Sequence, residues 1–164
     1  VAVVYVKPFK TVVGQGYCTD IEVTLKNFGV FTETFETTTY ANTTAIQTKT
    51  ATLLSGNKIE LTVTWNTCGF VKGNYTIWAY AWPLPDEADT TDNTLINGWV
   101  FVAMVGDVNA DDVVDIEDVY AIALSYGTTH RQPGYKPNLD INGDGIIDIQ
   151  DLYTAVLHYG ETSP

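Results

Sequence analysis

The strongest constraint on the fold of this 164-residue chain is an internal duplication. Residues 106–127 (GDVNADDVVDIEDVYAIALSYG) and 139–160 (LDINGDGIIDIQDLYTAVLHYG) repeat at an offset of 33. Identical pairs include Asp107/Asp140, Asn109/Asn142, Asp111/Asp144, Asp115/Asp148, Ile116/Ile149, Asp118/Asp151, Tyr120/Tyr153, Leu124/Leu157 and Gly127/Gly160. The matches concentrate on carboxylates at positions 1, 5, 9 and 12 of a short loop, with Asn at position 3. Carboxylates crowded in this way repel one another unless a cation sits among them.

This is the oxygen-donor spacing of an EF-hand calcium loop. Hard oxygen donors without His or Cys favour calcium over zinc or copper. Two calcium ions are therefore expected. One is held by Asp107, Asn109, Asp111, the Val113 carbonyl, Asp115 and Asp118. The other is held by Asp140, Asn142, Asp144, the Ile146 carbonyl, Asp148 and Asp151, with position 9 able to act through water. Two departures stand out: position 12 is Asp rather than Glu, and Asp112 occupies position 6, where Gly is usual. The periodicity predicts helices over 118–126 and 151–159. Their buried faces would carry Val119, Ile122, Ala123 and Tyr126, and Leu152, Ala155, Val156 and Tyr159. Gly127 and Gly160 then fall where a helix stops. The segment 130–138 reads as the loop joining the halves, and His130 and His158 have no metal-type spacing.

One helix per calcium loop, duplicated, with Asp at position 12, resembles the type I dockerin family over residues 106–160. The resemblance implies docking to a cohesin domain, largely through the helices that follow the loops. The family's specificity positions, 10 and 11 of each loop, correspond to Ile116 and Glu117, and to Ile149 and Gln150. Clostridial members often carry Ser or Thr there, so a cellulosome cohesin is not the expected partner. The segment LDINGDGIIDIQDLYTAVLHYGE is most similar to dockerin modules of archaeal surface proteins.

Charge divides the chain in two. Residues 106–164 carry eleven acids against Arg131 and Lys136, whereas residues 1–105 carry nine acids against six lysines. The break predicts a module at 1–105 and a calcium module at 106–164. A net charge of −12 argues against a nucleic-acid partner, which needs a basic face. No apolar run approaches the ~20 residues of a membrane span. The chain reads as a mature form whose targeting segment, if any, has gone.

Residues 1–105 show period-two alternation with a turn signal every ten residues or so. Strands are expected near 2–8, 21–25, 31–41, 44–53, 59–65, 75–81 and 95–105. Seven short, Thr- and aromatic-rich strands predict an all-β, immunoglobulin-like sandwich, followed by the small helical EF-hand-like module. Cys18 and Cys68 lie at the ends of two of these strands, and a bridge between them is expected. It would close a loop of about 50 residues and stabilise by ~4 kcal/mol on the chain-entropy model. Asn42-Thr43-Thr44 and Asn74-Tyr75-Thr76 are glycosylation acceptor triplets. Together these features point outside the cell. Trp78, Tyr80 and Trp82 occupy the face opposite Ile77, Ala79 and Ala81, so both faces of that strand are apolar. The extra face is covered by loops or the second module, docks another chain, or offers platforms to sugar rings. The opening VYVKP, the segment VVGQGYCTDIEVTLKNFG, and the pair WNTCGFVKGNYTIWAYA and DTTDNTLINGWV resemble the CARDB family of extracellular immunoglobulin-like domains. That family implies adhesion or structure rather than a reaction.

Paired acids such as Glu33 and Glu36, or Asp86, Glu87, Asp89 and Asp92, lack a neighbouring His, nucleophile or cofactor motif, so catalysis is not expected. The expected function is an extracellular structural or adhesive subunit that self-assembles through calcium-organised protein contacts. The alternative is an adaptor that docks to a separate cohesin, its sandwich binding carbohydrate or another surface protein.

Overall fold

The computed structural model of the protein describes residues 1–163. Eight strands precede two helices: β1 (Ala2–Pro8), β2 (Val12–Gly14), β3 (Cys18–Lys26), β4 (Glu33–Ala41), β5 (Thr44–Leu53), β6 (Lys58–Asn66), β7 (Gly73–Ala81), β8 (Thr94–Ala103), α1 (Ile116–Leu124) and α2 (Ile149–Leu157). One sheet has the order β1-β3-β6 and the other β2-β8-β7-β4-β5. The fold is the all-β sandwich with a small helical C-terminal part that the alternation and the duplication predict. Alternation does not announce β2, a three-residue strand that pairs parallel with β8. Three residues are too few for a periodic signal.

By contact the chain divides into two compact units. The first comprises Val1–Phe9, Asp20–Trp65 and Tyr75–Trp99. Its core is built by alternation: Ile21, Val23 and Leu25 of β3 and Val63 and Trp65 of β6 are buried, while Asp20, Glu22 and Thr64 face outward. Trp65 meets Tyr75 edge to face at 5.5 Å between centroids. The β4–β5 hairpin turns through Asn42, which adopts the left-handed conformation that Asn tolerates.

The second unit comprises Lys10–Thr19, Asn66–Asn74 and the chain from Val100 on. Its helical core is Val108, Ile122, Leu139, Ile141, Ile147 and Ala155, against which Tyr17, Val119, Ala121, Tyr135 and Leu152 pack. Several of these are partners in the duplication: Val108 with Ile141, Ile122 with Ala155, and Val119 with Leu152.

Each helix starts two residues earlier than the periodicity predicts, because Asp115 and Asp148 act as N-caps. The expected buried face is corrected accordingly. Ile122 and Ala155 are buried, but Tyr126, Val156 and Tyr159 are about half exposed and Ala123 is exposed. Tyr126 and Tyr159 lie beyond the C-caps Ser125 and His158 and leave the helical register.

The bridge expected between Cys18 and Cys68 is absent; both cysteines are free and exposed. The Asn66 side chain accepts from the Cys68 N–H at 2.8 Å, and the Phe70 N–H donates to the Thr67 carbonyl. These bonds turn the chain immediately after β6, so Cys68 does not continue the strand.

Candidate metal centre

Each duplicated loop is wound by its own carboxylates. In loop 1, Asp107 accepts from the backbone N–H groups of Ala110 (2.6 Å), Asp111 (3.3 Å) and Asp112 (3.1 Å). Asn109 accepts from the Asp111 N–H, Asp111 from the Val113 N–H, and Asp115 from the Glu117 N–H. Asp118 closes the loop: its two oxygens accept from the Val108 and Asp115 N–H groups, both at 2.9 Å. Positions 1, 3, 5, 9 and 12 each therefore hold a backbone N–H.

Loop 2 repeats the pattern. Asp140 accepts from Gly143 (2.7 Å) and Gly145 (2.8 Å), Asn142 from Asp144, Asp144 from Ile146, and Asp148 from Gln150. Asp151 ties Ile141 at 2.7 Å and Asp148 at 2.9 Å. Asp115 with Asp118, and Asp148 with Asp151, form reciprocal capping boxes, so the closing carboxylates also nucleate the helices.

Four of these carboxylates are buried: Asp107, Asp118, Asp140 and Asp151 are at most 2% exposed. Burial pushes the Asp107 carboxyl above the usual carboxylate range, and the Asp118 charge acts in the same direction against the N–H donors. Burial does the same to Asp151, reinforced by Asp140. Positions 1 and 12 thus face each other across each loop with like charge, and a cation between them would relieve both. Beside loop 2 the Tyr135 hydroxyl donates to Asp140 at 2.5 Å; burial raises its pKa, as does that hydrogen bond.

The remaining donors stand farther out. Asn109, Asp111 and Asp144 are exposed, while Asn142, Asp115 and Asp148 are half-buried. Among the described residues no group of three or more His, Cys, Asp or Glu side chains is gathered so that it could hold an ion. Within each loop the carboxylates at positions 1 and 12 are near enough for the charge of one to act on the other. The donor set nonetheless fits a hard divalent cation, being all oxygen and anionic at the two buried positions.

The loops close on each other's flanks. Val113 of loop 1 bridges Thr162, after α2, whereas Ile146 of loop 2 bridges Thr129, after α1. The Val114 N–H donates to the Glu161 carbonyl, and the Ile147 N–H to the Thr128 carbonyl, each at 2.9 Å.

Backbone conformation separates the loops. Positions 4 and 6 are left-handed in both, filled by Gly143 and Gly145 in loop 2 but by Ala110 (φ 63°) and Asp112 (φ 75°) in loop 1. The exposed Asp112 side chain is paired with Lys72 at 2.8 Å. Nothing local in the sequence announces that partner, forty positions away.

The other predicted positions fall as follows. Ile116, Glu117, Ile149 and Gln150 occupy the exposed first turns of the helices. Tyr120 and Leu124 extend Ile116 into an exposed stripe, as Tyr153 and Leu157 extend Ile149. These four were legible as spacing-of-four repeats beside the predicted buried face. On β7, Trp78 stacks on Tyr40 at 4.1 Å, Tyr80 meets Trp82 edge to face, and Trp82 is 48% exposed. Asn42 and Asn74 are exposed, and the Asn42 side-chain oxygen accepts from the Thr76 N–H.

Residues 105–154 match the family model of the dockerin type I domain. No curated protein matches the chain. The crystal structure of a CARDB domain from Pyrococcus furiosus, described as in complex with di-metal ions, is similar at 24% identity and a TM-score of 0.52. That match covers 60% of this chain and 89% of the other. A domain from Methanosarcina acetivorans, described as part of a cell surface protein, aligns at 21% identity over 62% of this chain and 90% of its own, with a TM-score of 0.48. A β-glucosidase from Listeria innocua aligns at 13% identity over 60% of this chain but only 15% of its own, with a TM-score of 0.46. Dockerin and CARDB domains are non-catalytic modules, and type I dockerin domains generally bind calcium. The β-sandwich is thus similar in fold to a CARDB domain, and residues 105–154, which hold most of the duplicated repeat, match the dockerin type I model.

Proposed function

We propose that the chain is an extracellular structural or adhesive subunit whose calcium-loaded repeat docks on other protein chains, copies of itself foremost. The observation that carries this reading is the duplicated apolar stripe, Ile116–Tyr120–Leu124 and Ile149–Tyr153–Leu157. All six residues are at least 57% exposed. A stripe of this kind is a docking face for a protein rather than a small-molecule site. Two like stripes per chain make the chain multivalent, and heterologous contacts of that kind build open chains unless they close into rings.

In this reading two calcium ions occupy the loops through the twelve positions Asp107 to Asp118 and Asp140 to Asp151 named above, and the dockerin-type module begins at Gly106. The Trp78, Tyr80 and Trp82 face of the sandwich adds a second contact surface, and Asn42 and Asn74 carry glycans. The surface location is supported by the kinds of protein the two modules resemble; among the described residues no helix is long and apolar enough to cross a membrane. The dockerin match favours a second reading, in which a separate cohesin takes the helices and the sandwich is cargo.

Sedimentation velocity over a concentration series separates the two. Self-assembly predicts calcium-dependent growth of the sedimenting species that a chelator reverses. A monomer at high concentration with calcium present would return the cohesin-docked adaptor to first place.

A further inference from the structure

We propose that calcium locks residues 10–19 and 66–74 onto the duplicated repeat, with Lys10 and Lys72 as the positioning residues that tether them to loop 2 and loop 1. The inference rests on the calcium reading above and adds what the ions would control.

Residues 10–19 and 66–74 belong to the same compact unit as the repeat. Lys10 is 3% exposed, and its ammonium donates to the carbonyls of Asp140 and Ile141, positions 1 and 2 of loop 2. Next to it, the Asn138 side-chain oxygen accepts from the Thr11 and Val12 N–H groups at 2.9 and 3.2 Å, and its amide donates to the Thr11 hydroxyl. On the other loop Lys72 bonds the Asp112 carboxylate and the Ser163 hydroxyl, while the Ser163 N–H donates to the Asp112 carbonyl. Each loop thus has one lysine, from a different segment, fastened where the loop must take its wound shape.

The left-handed backbone at Asp112 gains a purpose from this contact. Gly would adopt that conformation without strain but would offer Lys72 nothing. Calcium favours the wound loop, and only the wound loop presents the Asp140 and Ile141 carbonyls and the Asp112 carboxylate to the lysines. Coupling of this kind is reciprocal: if the ion favours docking, docking favours the ion by the same factor. The sign is diagnostic. A lysine ammonium repels calcium, so charge alone requires that removing it tighten binding, whereas coupling requires that removing it weaken binding.

The test uses the full chain, with calcium chloride followed by calorimetry and amide hydrogen exchange read with and without EGTA. Thr11 and Val12 amides should exchange slowly with calcium and about tenfold faster or more after EGTA, because their acceptor is lost. Amides of Ile21–Leu25 should keep their protection. Lys72→Met and Lys10→Met should each weaken calcium binding about 5-fold, and Lys72→Arg should preserve it. If Lys10→Met does not fold, Lys72→Met decides alone, since that side chain lies at the rim. Calcium binding with unchanged Thr11 and Val12 exchange, or tighter binding by Lys72→Met, overturns the inference while the calcium reading stands. No calcium binding at all overturns both.

Discussion

At the scale of single residues, the two loops differ where glycine is exchanged for a side chain. A residue with a Cβ in the left-handed helical region costs roughly 1–2 kcal/mol. Ala110 bears that cost at position 4 of loop 1, whereas Gly143 avoids it in loop 2. A Cβ added at Gly143 would meet nothing nearer than 3.9 Å, so Gly143→Ala isolates the backbone effect. We expect Ala110→Gly to stabilise the second unit by about 1 kcal/mol and Gly143→Ala to destabilise it by about the same amount. Urea unfolding with calcium in excess checks both, and equal stability of the two variants would remove the strain argument. The capping residues provide a second check. Asp115→Asn keeps an acceptor for the Glu117 N–H but removes a charge, whereas Asp115→Ala removes the cap and should cost a further ~1 kcal/mol.

At the scale of elements, much of the fold could be read from spacing. Period two located most strands, because Ile21, Val23 and Leu25 can be buried together only on one face of a sheet. The repeat offset located both loops, because their carboxylates are tied to backbone positions by local hydrogen bonds. The helices start two residues before their apolar periodicity does, because Asp115 and Asp148 serve the loop and the cap at once, and a ligand position reads as loop. Cys18 and Cys68 are free, and the turn that Asn66 makes at Cys68 is a three-residue feature without periodicity. The roles of Lys10, Lys72 and Asn138 are not legible locally, because their partners are 130, 40 and 127 positions away.

The helices also permit an element-scale prediction. Tyr120→Ser with Leu124→Ser strips one stripe, and Tyr153→Ser with Leu157→Ser strips the other. These side chains are exposed, so each pair should leave the melting temperature nearly unchanged. If the stripes act as two docking faces, one stripped stripe should shorten assemblies and both should abolish them in sedimentation. Full assembly after stripping both would place the contact elsewhere, with the Trp78–Trp82 face the next candidate.

At the scale of the whole molecule, the distribution of charge decides how the metal acts. The formal charge of −12 is concentrated in the repeat, and two calcium ions would bring it to −8. Four buried carboxylates would lose their compensating charge on withdrawal of such ions, whereas the sandwich core of Ile21, Val23, Leu25 and Trp65 rests on apolar burial and not on an ion. Calorimetry should therefore show two transitions, with EGTA lowering or abolishing the one that belongs to the second unit and sparing the other. A single transition unmoved by EGTA would mean that the loops fold without the ion.

The crossed bridges, Val113 to Thr162 and Ile146 to Thr129, have a consequence for how such a molecule could have arisen or be taken apart. Neither repeat contains both halves of its own closure; each lends its trailing residues to the other. A half-length peptide would hold one side of two different seams and could complete them only by meeting a twin around a twofold axis. The present chain is, in that sense, a dimer written in one strand of text, and cutting the 130–138 connection should leave its halves still clasped.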